Sequence, residues 1–144
     1  MPNSIPQGFG TVTPFLCVTD AVKLIDFLKQ AFAAEVTFRM DGPDGSVAHA
    51  EVKIGDSKVM IGQVPADRAM RAMLHLYVTD TDAVYNSAIA AGATSVREPA
   101  DQFYGDRSGG VRDIWGNEWW MATHIEDVSQ EEMERRMKAM SARA

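Results

Sequence analysis

The sequence predicts an α+β domain made of two βαβββ modules and a C-terminal helix. The triplet Val-Thr-Asp occurs at 18–20 and again at 78–80, and a helical pattern follows each copy. A glycine turn at 55–56 and another at 116–117 then introduce a short apolar run in each half. Self-similarity at a period of about sixty residues indicates two copies of one supersecondary unit.

The first module is predicted as a strand, a helix and three further strands. Residues 11–19 read as a strand, and Asp20 is placed to cap the helix that follows. Further strands are predicted at 36–40, 46–54 and 58–62, where alternating or short apolar runs lie between turn residues. The apolar residues of the helix share one face: Ala21, Leu24, Ile25, Leu28 and Phe32.

The second module repeats this order. A strand at 73–79 leads to a helix that Asp80 or Asp82 caps and Gly92 ends, and a strand follows at 94–98. The remaining segments are predicted as a long loop at 99–110 and as strands at 111–114 and 118–124.

The C-terminal segment has no counterpart in the first module. Ser129 and Glu132 form a capping box, and Met133, Met137 and Met140 then recur as an apolar stripe on one helical face. We expect this stripe to dock on the sheet or on a second copy of the chain. The expected organisation is a single domain over 1–144, with modules at 11–63 and 73–125, a linker at 64–72 and a helix at 128–142.

Composition narrows the function classes. The net charge is −6 and the isoelectric point is near 5.0, which argues against nucleic acid as a partner because phosphate binding needs a basic face. The lone Cys17 excludes an internal disulfide framework and favours a reducing cytoplasm. The N-terminus does not read as a signal peptide, and no apolar run approaches the ~20 residues of a membrane span.

Four segments carry a resemblance to a known family. HAEVKIGDS, LHLYVTDTDAV, DQFYGDRSGGVRDIWGNEW and ATHIEDVSQEEMERRM resemble the vicinal oxygen chelate superfamily, and within it the PhnB-like glyoxalase subgroup. The superfamily includes glyoxalase I, bleomycin-resistance proteins, fosfomycin-resistance enzymes and extradiol dioxygenases. The resemblance covers residues 9–137. It implies a curved mixed sheet from paired modules, whose concave cavity holds one metal and a chelating substrate.

The implied metal ligands are missing from the sequence. In metal-bearing members one ligand precedes the valine of each Val-x-Asp triplet by five residues, which gives Thr13 and Met73. Another follows each turn glycine by four residues, which gives Val59 and Trp120. These four side chains offer no imidazole and no carboxylate, whereas a divalent ion needs several nitrogen or oxygen donors. We therefore expect no bound metal and no other cofactor.

Several side chains remain as candidates for chemistry or binding. His75 is a candidate general base or displaced metal ligand, or else a half-buried histidine bonded to a neighbour. His49 and Glu51 share one strand face and form either a proton-transfer or metal pair or a solvated surface. Trp120 is either an aromatic platform or core packing. Arg107 either meets an anionic group of a ligand or forms a solvated pair with an aspartate.

The leading hypothesis is a homodimeric small-molecule-binding protein that lacks the usual metal ligands. One rival is a lyase or isomerase acting on an oxygenated small molecule, in which His75, His49 or Glu51 moves protons or binds a displaced metal. A third reading is a non-catalytic dimer whose pocket is vestigial. The expected ligand-binding residues are Phe15, Val59, Met73, His75, Tyr77, Tyr104, Arg107 and Trp120.

Overall fold

The computed structural model describes residues 1–143 and contains two modules of the same order. The first consists of β1 (Phe15–Val18), α1 (Ala21–Phe32), β2 (Glu35–Asp41), β3 (Val47–Ile54) and β4 (Ser57–Gln63). A 3-10 turn (Ala66–Arg68) lies between the modules. The second consists of β5 (Met73–Tyr77), α2 (Thr81–Ala90), β6 (Thr94–Asp101), β7 (Asp106–Arg112) and β8 (Glu118–His124), and α3 (Gln130–Ala142) follows it.

Each module forms a four-stranded mixed sheet. The strand order is β1-β4-β3-β2 in the first sheet and β5-β8-β7-β6 in the second. The pairs β1–β4 and β5–β8 are parallel, and the other pairs are antiparallel. The predicted α+β class and the two βαβββ modules are therefore confirmed.

Local side-chain chemistry starts each long helix. Asp20 accepts a hydrogen bond from the Lys23 backbone N–H at 3.0 Å, and Asp80 accepts one from the Ala83 N–H at 3.1 Å. Ser129 caps α3 in the same way. These contacts satisfy backbone donors that have no partner within a helix. The alternative cap Asp82 instead lies in the first turn of α2.

The core lies between the helices and one face of each sheet. Leu24, Leu28 and Ile61 are fully buried there, as is Trp119 on β8. The ring of Phe32 lies 5.0 Å from that of Trp119, centroid to centroid, and α1 also packs against α2. Residues of both modules thus belong to one continuous apolar cluster.

The face of each sheet that points away from the helices remains open. On the first sheet it exposes Phe15 and Met40, and on the second it exposes Met73 and Tyr77, each at about half or more of the full side-chain exposure. Large apolar patches on a folded protein typically mark a binding or association surface.

The predicted long loop at 99–110 is wrong. Strand β6 continues to Asp101 and β7 begins at Asp106, so the segment is a hairpin with a short turn. Pro99 does not interrupt the strand, because proline is tolerated on an edge strand and β6 is the edge of its sheet. Register shifts in β6 accompany it. Gly105, with φ +99°, supplies the left-handed residue that the turn requires.

The methionine stripe of α3 does not dock on the sheet of its own chain. No residue of α3 is buried, and Met137 and Met140 are both about half exposed. The helix is instead held by Arg136, which donates hydrogen bonds to both carboxylate oxygens of Glu126 and to the Phe103 carbonyl at 3.0 Å. Docking of the stripe on a second copy of the chain stays a prediction.

None of the helices in residues 1–143 combines the length and the apolar character that crossing a membrane would require.

Candidate functional site

One row of four facing positions crosses the open face of the second sheet. His75 on β5 lies opposite Trp120 on β8, which lies opposite Gly110 on β7, which lies opposite Arg97 on β6. We call this set the Trp120 row. Directly opposed side chains on one face of a sheet lie close enough to act together. The row therefore combines an imidazole, an indole and a guanidinium.

The indole of Trp120 lies against the backbone of Gly110. A Cβ atom added to Gly110 would come within 2.7 Å of the indole, so only glycine admits this position. The indole Nε1–H donates to the carboxylate of Glu118 at 3.0 Å. The guanidinium carbon of Arg97 lies 4.9 Å from the ring centroid, within cation–π range. Trp120 is thus partly buried on the open face, whereas the neighbouring Trp119 belongs to the core.

The equivalent row of the first sheet has a different character. Phe15 lies opposite Met60, Met60 opposite Glu51, and Glu51 opposite Phe38. We call this set the Glu51 row. His49 Nε2 lies 3.1 Å from the Glu51 carboxylate, and the rings of Phe15 and Phe38 lie 5.7 and 6.1 Å from the imidazole. His49 and Glu51 lie on one strand face, as the alternation predicts, and aromatic rings flank the pair.

Tyr77, on the open face of the second sheet, contacts both His75 and the first residue of β7, Asp106. Its ring lies 5.0 Å from that of His75, and its hydroxyl donates to Asp106 at 2.9 Å. Asp106 is almost fully buried. His124 Nδ1 lies 2.8 Å from its carboxylate, and His124 Nε2 lies 2.7 Å from the carboxylate of Asp127, so the hydrogen bonds continue to the surface. The bond to Asp106 raises the pKa of Tyr77. The carboxylates of Asp127 and Asp106 raise the pKa of His124.

Val59 does not lie on the open face. It is buried on the helix side with Ile61, while Met60 takes the open position opposite Phe15. The reason is turn length: Ile54 pairs directly with Ser57, whereas the corresponding turn of the second module runs from Arg112 to Glu118. Side chains in a strand alternate between the two faces of the sheet. The position four residues after the turn glycine therefore lies on the helix side in the first module, at Val59, and on the open face in the second module, at Trp120.

The expected ligand-binding residues do not line a single cavity. A cleft of about 1050 Å³ lies between the modules, along the free edge of β5, and its lining includes Thr13, Val59, His75 and Tyr77. A smaller cavity of about 420 Å³ lies beside the N-terminal segment and reaches Glu51 and Met60. The other expected residues line neither of these cavities: Phe15, Met73, Tyr104, Arg107 and Trp120.

Arg107 is engaged by carboxylates. It donates to both oxygens of Asp82 at 2.6 and 2.9 Å and to Asp101 at 3.0 Å. Its guanidinium lowers the pKa of Asp82, and the two carboxylates raise the pKa of Arg107. The bidentate geometry ties the β6–β7 hairpin to the start of α2. Of the two alternatives for Arg107, contact with an anionic ligand or a pair with an aspartate, the structure shows the pair with an aspartate. Tyr104 lies on the hairpin turn, with its hydroxyl 3.5 Å from Ser108.

The facing residues of the two parallel strand pairs, β1–β4 and β5–β8, do not fit a resident divalent metal on the open faces. Phe15 and Met60 on the first sheet and His75 and Trp120 on the second provide one imidazole and no carboxylate. Within residues 1–143, no three histidine, cysteine, aspartate or glutamate side chains cluster as a ligand set. A divalent ion needs more nitrogen or oxygen donors than one histidine supplies.

Arg97, Gly110 and Asp106 were absent from the sequence-based candidates. Two adjacent glycines inside a strand were the available signal, since glycine there often marks close approach of another group. The partners of Arg97 and Asp106 lie on other strands, so no spacing in the sequence reveals them.

Comparison with known proteins identifies the family. The model of the Glyoxalase/Bleomycin resistance protein/Dioxygenase superfamily matches residues 8–121. The chain belongs to this superfamily. An uncharacterized protein of Mycobacterium bovis is 36% identical over 140 residues, which cover 89% of this chain and 92% of that protein.

Solved structures share the fold. TioX from Micromonospora sp. ML1 superposes with a TM-score of 0.69 at 26% identity, over 81% of this chain and 100% of that chain. A PhnB protein from Bacillus cereus, described as a putative 3-demethylubiquinone-9 3-methyltransferase, superposes with a TM-score of 0.61 at 16% identity, over 79% and 99%. At that identity the second likeness concerns the fold alone.

Proposed function

We propose that the protein is a small-molecule-binding member of the superfamily, of the PhnB-like subgroup, that works without a resident metal. Its ligand is a planar molecule that lies on the open face of the second sheet. The observation that carries this proposal is the Trp120 row, in which the indole of Trp120 packs against the Gly110 backbone beside His75. Indole rings bind planar molecules through stacking and buried apolar area.

The binding unit in this proposal is a homodimer. The open faces of both sheets expose large apolar side chains, including Phe15, Phe38 and Met73. Strands β1 and β5 are sheet edges, and such edges pair readily with another chain. A second copy that sets its first sheet against the second sheet of its partner would cover these surfaces. The lone Cys17 supports a cytoplasmic setting as part of the same proposal.

A thermal-shift screen of small aromatic compounds tests the binding site. A ligand that binds only the folded state raises the melting temperature, so we expect shifts for the wild type that Trp120→Ala abolishes. Trp115→Ala is the matched control, because Trp115 packs against the core cluster and lies on the turn before β8. Equal shifts in the wild type and Trp120→Ala would reject this site.

Elemental analysis tests the absence of a resident metal. We expect protein purified without added metal to carry far less than one equivalent of zinc, nickel, manganese or iron. About one equivalent, lost on His75→Ala, would overturn the binding-protein proposal and favour an enzyme with a displaced metal site.

A second candidate is a lyase or isomerase acting on an oxygenated small molecule. The observation that favours it is the contact of 3.1 Å between His49 and Glu51, because a carboxylate that orients an imidazole is a common acid–base arrangement. In the dimer proposed above, the Glu51 row of one copy would lie opposite the Trp120 row of its partner, and His75 would face this pair.

Deuterium incorporation into small carbonyl compounds tests the second candidate. An enzyme should exchange an acidic C–H proton with deuterium oxide, and Glu51→Gln should abolish this exchange. Glu35→Gln serves as the control because Glu35 is an exposed carboxylate on β2. If neither the wild type nor the control exchanges protons, this candidate falls.

A further inference from the structure

Arg97 is the one strand arginine in residues 1–143 without a carboxylate partner. Four arginines lie on strands. Arg39 pairs with Asp41, Arg107 with Asp82 and Asp101, and Arg112 with Glu118, in contrast to Arg97. An arginine side chain carries a fixed positive charge in proteins. The open face of the second sheet therefore carries an uncompensated positive charge at the end of the Trp120 row.

The structure holds this guanidinium in place through one of its nitrogens. Nη2 of Arg97 donates to the Ser108 carbonyl at 3.4 Å and to the Ser108 hydroxyl. Ser108 is buried on β7, so it is a fixed anchor. The Nε and Nη1 groups of Arg97 make no hydrogen bond to other described residues. A guanidinium has five N–H donors, so those on Nε and Nη1 remain available to an external acceptor.

The same contacts set the distance between the charge and the aromatic surface. Gly110 lets the indole of Trp120 lie close to the sheet, and Arg97 then approaches its ring to 4.9 Å. An acceptor bound to Arg97 therefore lies beside the indole. Carboxylates suit this site, since hydrogen bonds between a guanidinium and a carboxylate are charge-assisted and stronger than those between neutral groups.

We propose that the ligand is an aromatic carboxylate, whose ring lies against Trp120 and whose carboxylate accepts hydrogen bonds from Arg97. This inference rests on the proposed binding function and names its ligand class. His75, at the other end of the row, supplies a further polar group for a substituent on the ring.

Calorimetric titration of the full chain with naphthoate and with naphthamide tests the charge requirement. The two probes share an aromatic body and differ in charge. We expect naphthoate to bind the wild type about tenfold or more tightly than naphthamide, which corresponds to ~1.4 kcal/mol. Arg97→Gln should remove this preference, and Arg97→Lys should retain part of it, because lysine keeps the charge but presents its N–H donors in a different geometry.

Arg39→Gln is the matched control, because Arg39 lies on the other sheet and pairs with Asp41. It should keep the wild-type preference for naphthoate. Thermal unfolding of each variant checks that it is folded, and Arg97→Lys decides the question if Arg97→Gln does not fold.

The outcomes separate this inference from the proposed function. If both probes bind equally and Trp120→Ala abolishes both, the ligand is not selected as an anion, although the binding site stands. A preference for naphthoate that survives in Arg97→Gln and Arg97→Lys unchanged also overturns the role of Arg97. If neither probe binds the wild type, both the ligand class and the aromatic site are rejected.

Discussion

Gly105 lies directly beneath the carbonyl oxygen of Glu126. A Cβ atom on Gly105 would overlap that oxygen and would lie 3.1 Å from Val128. The carbonyl of Gly105 also accepts the backbone N–H groups of Ile125 and Glu126 at 2.9 and 3.0 Å. The β6–β7 turn therefore packs against the segment that connects β8 to α3 and holds that segment in place.

Gly105→Ala should destabilise the protein by about 3 kcal/mol or more, because left-handed backbone strain of about 1–3 kcal/mol adds to the overlap with Glu126. Gly45→Ala is the matched control. Gly45 also has positive φ, +79°, but an added Cβ would meet nothing within 4 Å. It should cost only about 1–2 kcal/mol. Urea unfolding measures both, and equal losses would contradict the role of the Glu126 contact.

His124 should make stability depend on pH. Asp127 and Asp106 raise its folded pKa above the ordinary value of 6.5. A raised folded pKa means that its contribution is fully present below pH 6.5 and is lost as the pH rises through the folded pKa. The free energy of unfolding should therefore fall over that window.

Removing either partner tests this prediction. His124→Gln should flatten the pH dependence, and Asp127→Asn should weaken it while the imidazole remains. Urea unfolding at a series of pH values measures the effect. An unchanged slope in His124→Gln would show that other groups cause it.

Asp113 organises the turn before β8. This buried carboxylate accepts hydrogen bonds from the Trp119 indole at 3.0 Å, from both backbone and side chain of Asn117, and from the Trp115 backbone. Asp113→Ala should cost about 3 kcal/mol or more, because each buried donor left without a partner costs ~1–3 kcal/mol.

Asp41→Ala is the control for a surface carboxylate, since its pair with Arg39 is exposed. It should cost less than about 1 kcal/mol. Urea unfolding followed by tryptophan fluorescence compares the two, and a similarly small loss for Asp113→Ala would refute the role of the network.

Truncation after Val128 should weaken self-association without unfolding the modules. No residue of α3 is buried within its own chain, so its removal opens no cavity. Met137 and Met140 are about half exposed and available to a second copy. Sedimentation velocity measures the assembly. A truncated chain that associates as strongly as the full chain would exclude α3 from the interface.

Arg136→Ala provides a finer version of this experiment. It removes the contacts to Glu126 and Phe103 while it keeps the methionine stripe. If the position of α3 matters for assembly, this variant should behave like the truncated chain.

Patterns that depend on near neighbours were predictable. The capping roles of Asp20, Asp80 and Ser129 follow from contacts within three residues, and the buried face of α1 follows from helical spacing. The loop predicted at 99–110 failed because a strand containing Pro99 is stable only as the edge of a sheet, which is a property of the neighbouring strand.

Facing relationships across strands depended on the tertiary structure. Repetition in the sequence alone determined that two βαβββ modules exist, because secondary structure follows from local periodicity. Whether Val59 or Met60 joined the open face was decided by the register that each turn imposes, and a shift of one residue reverses every side chain of a strand. The contact between Arg97 and Trp120 likewise arises only when β6, β7 and β8 lie side by side.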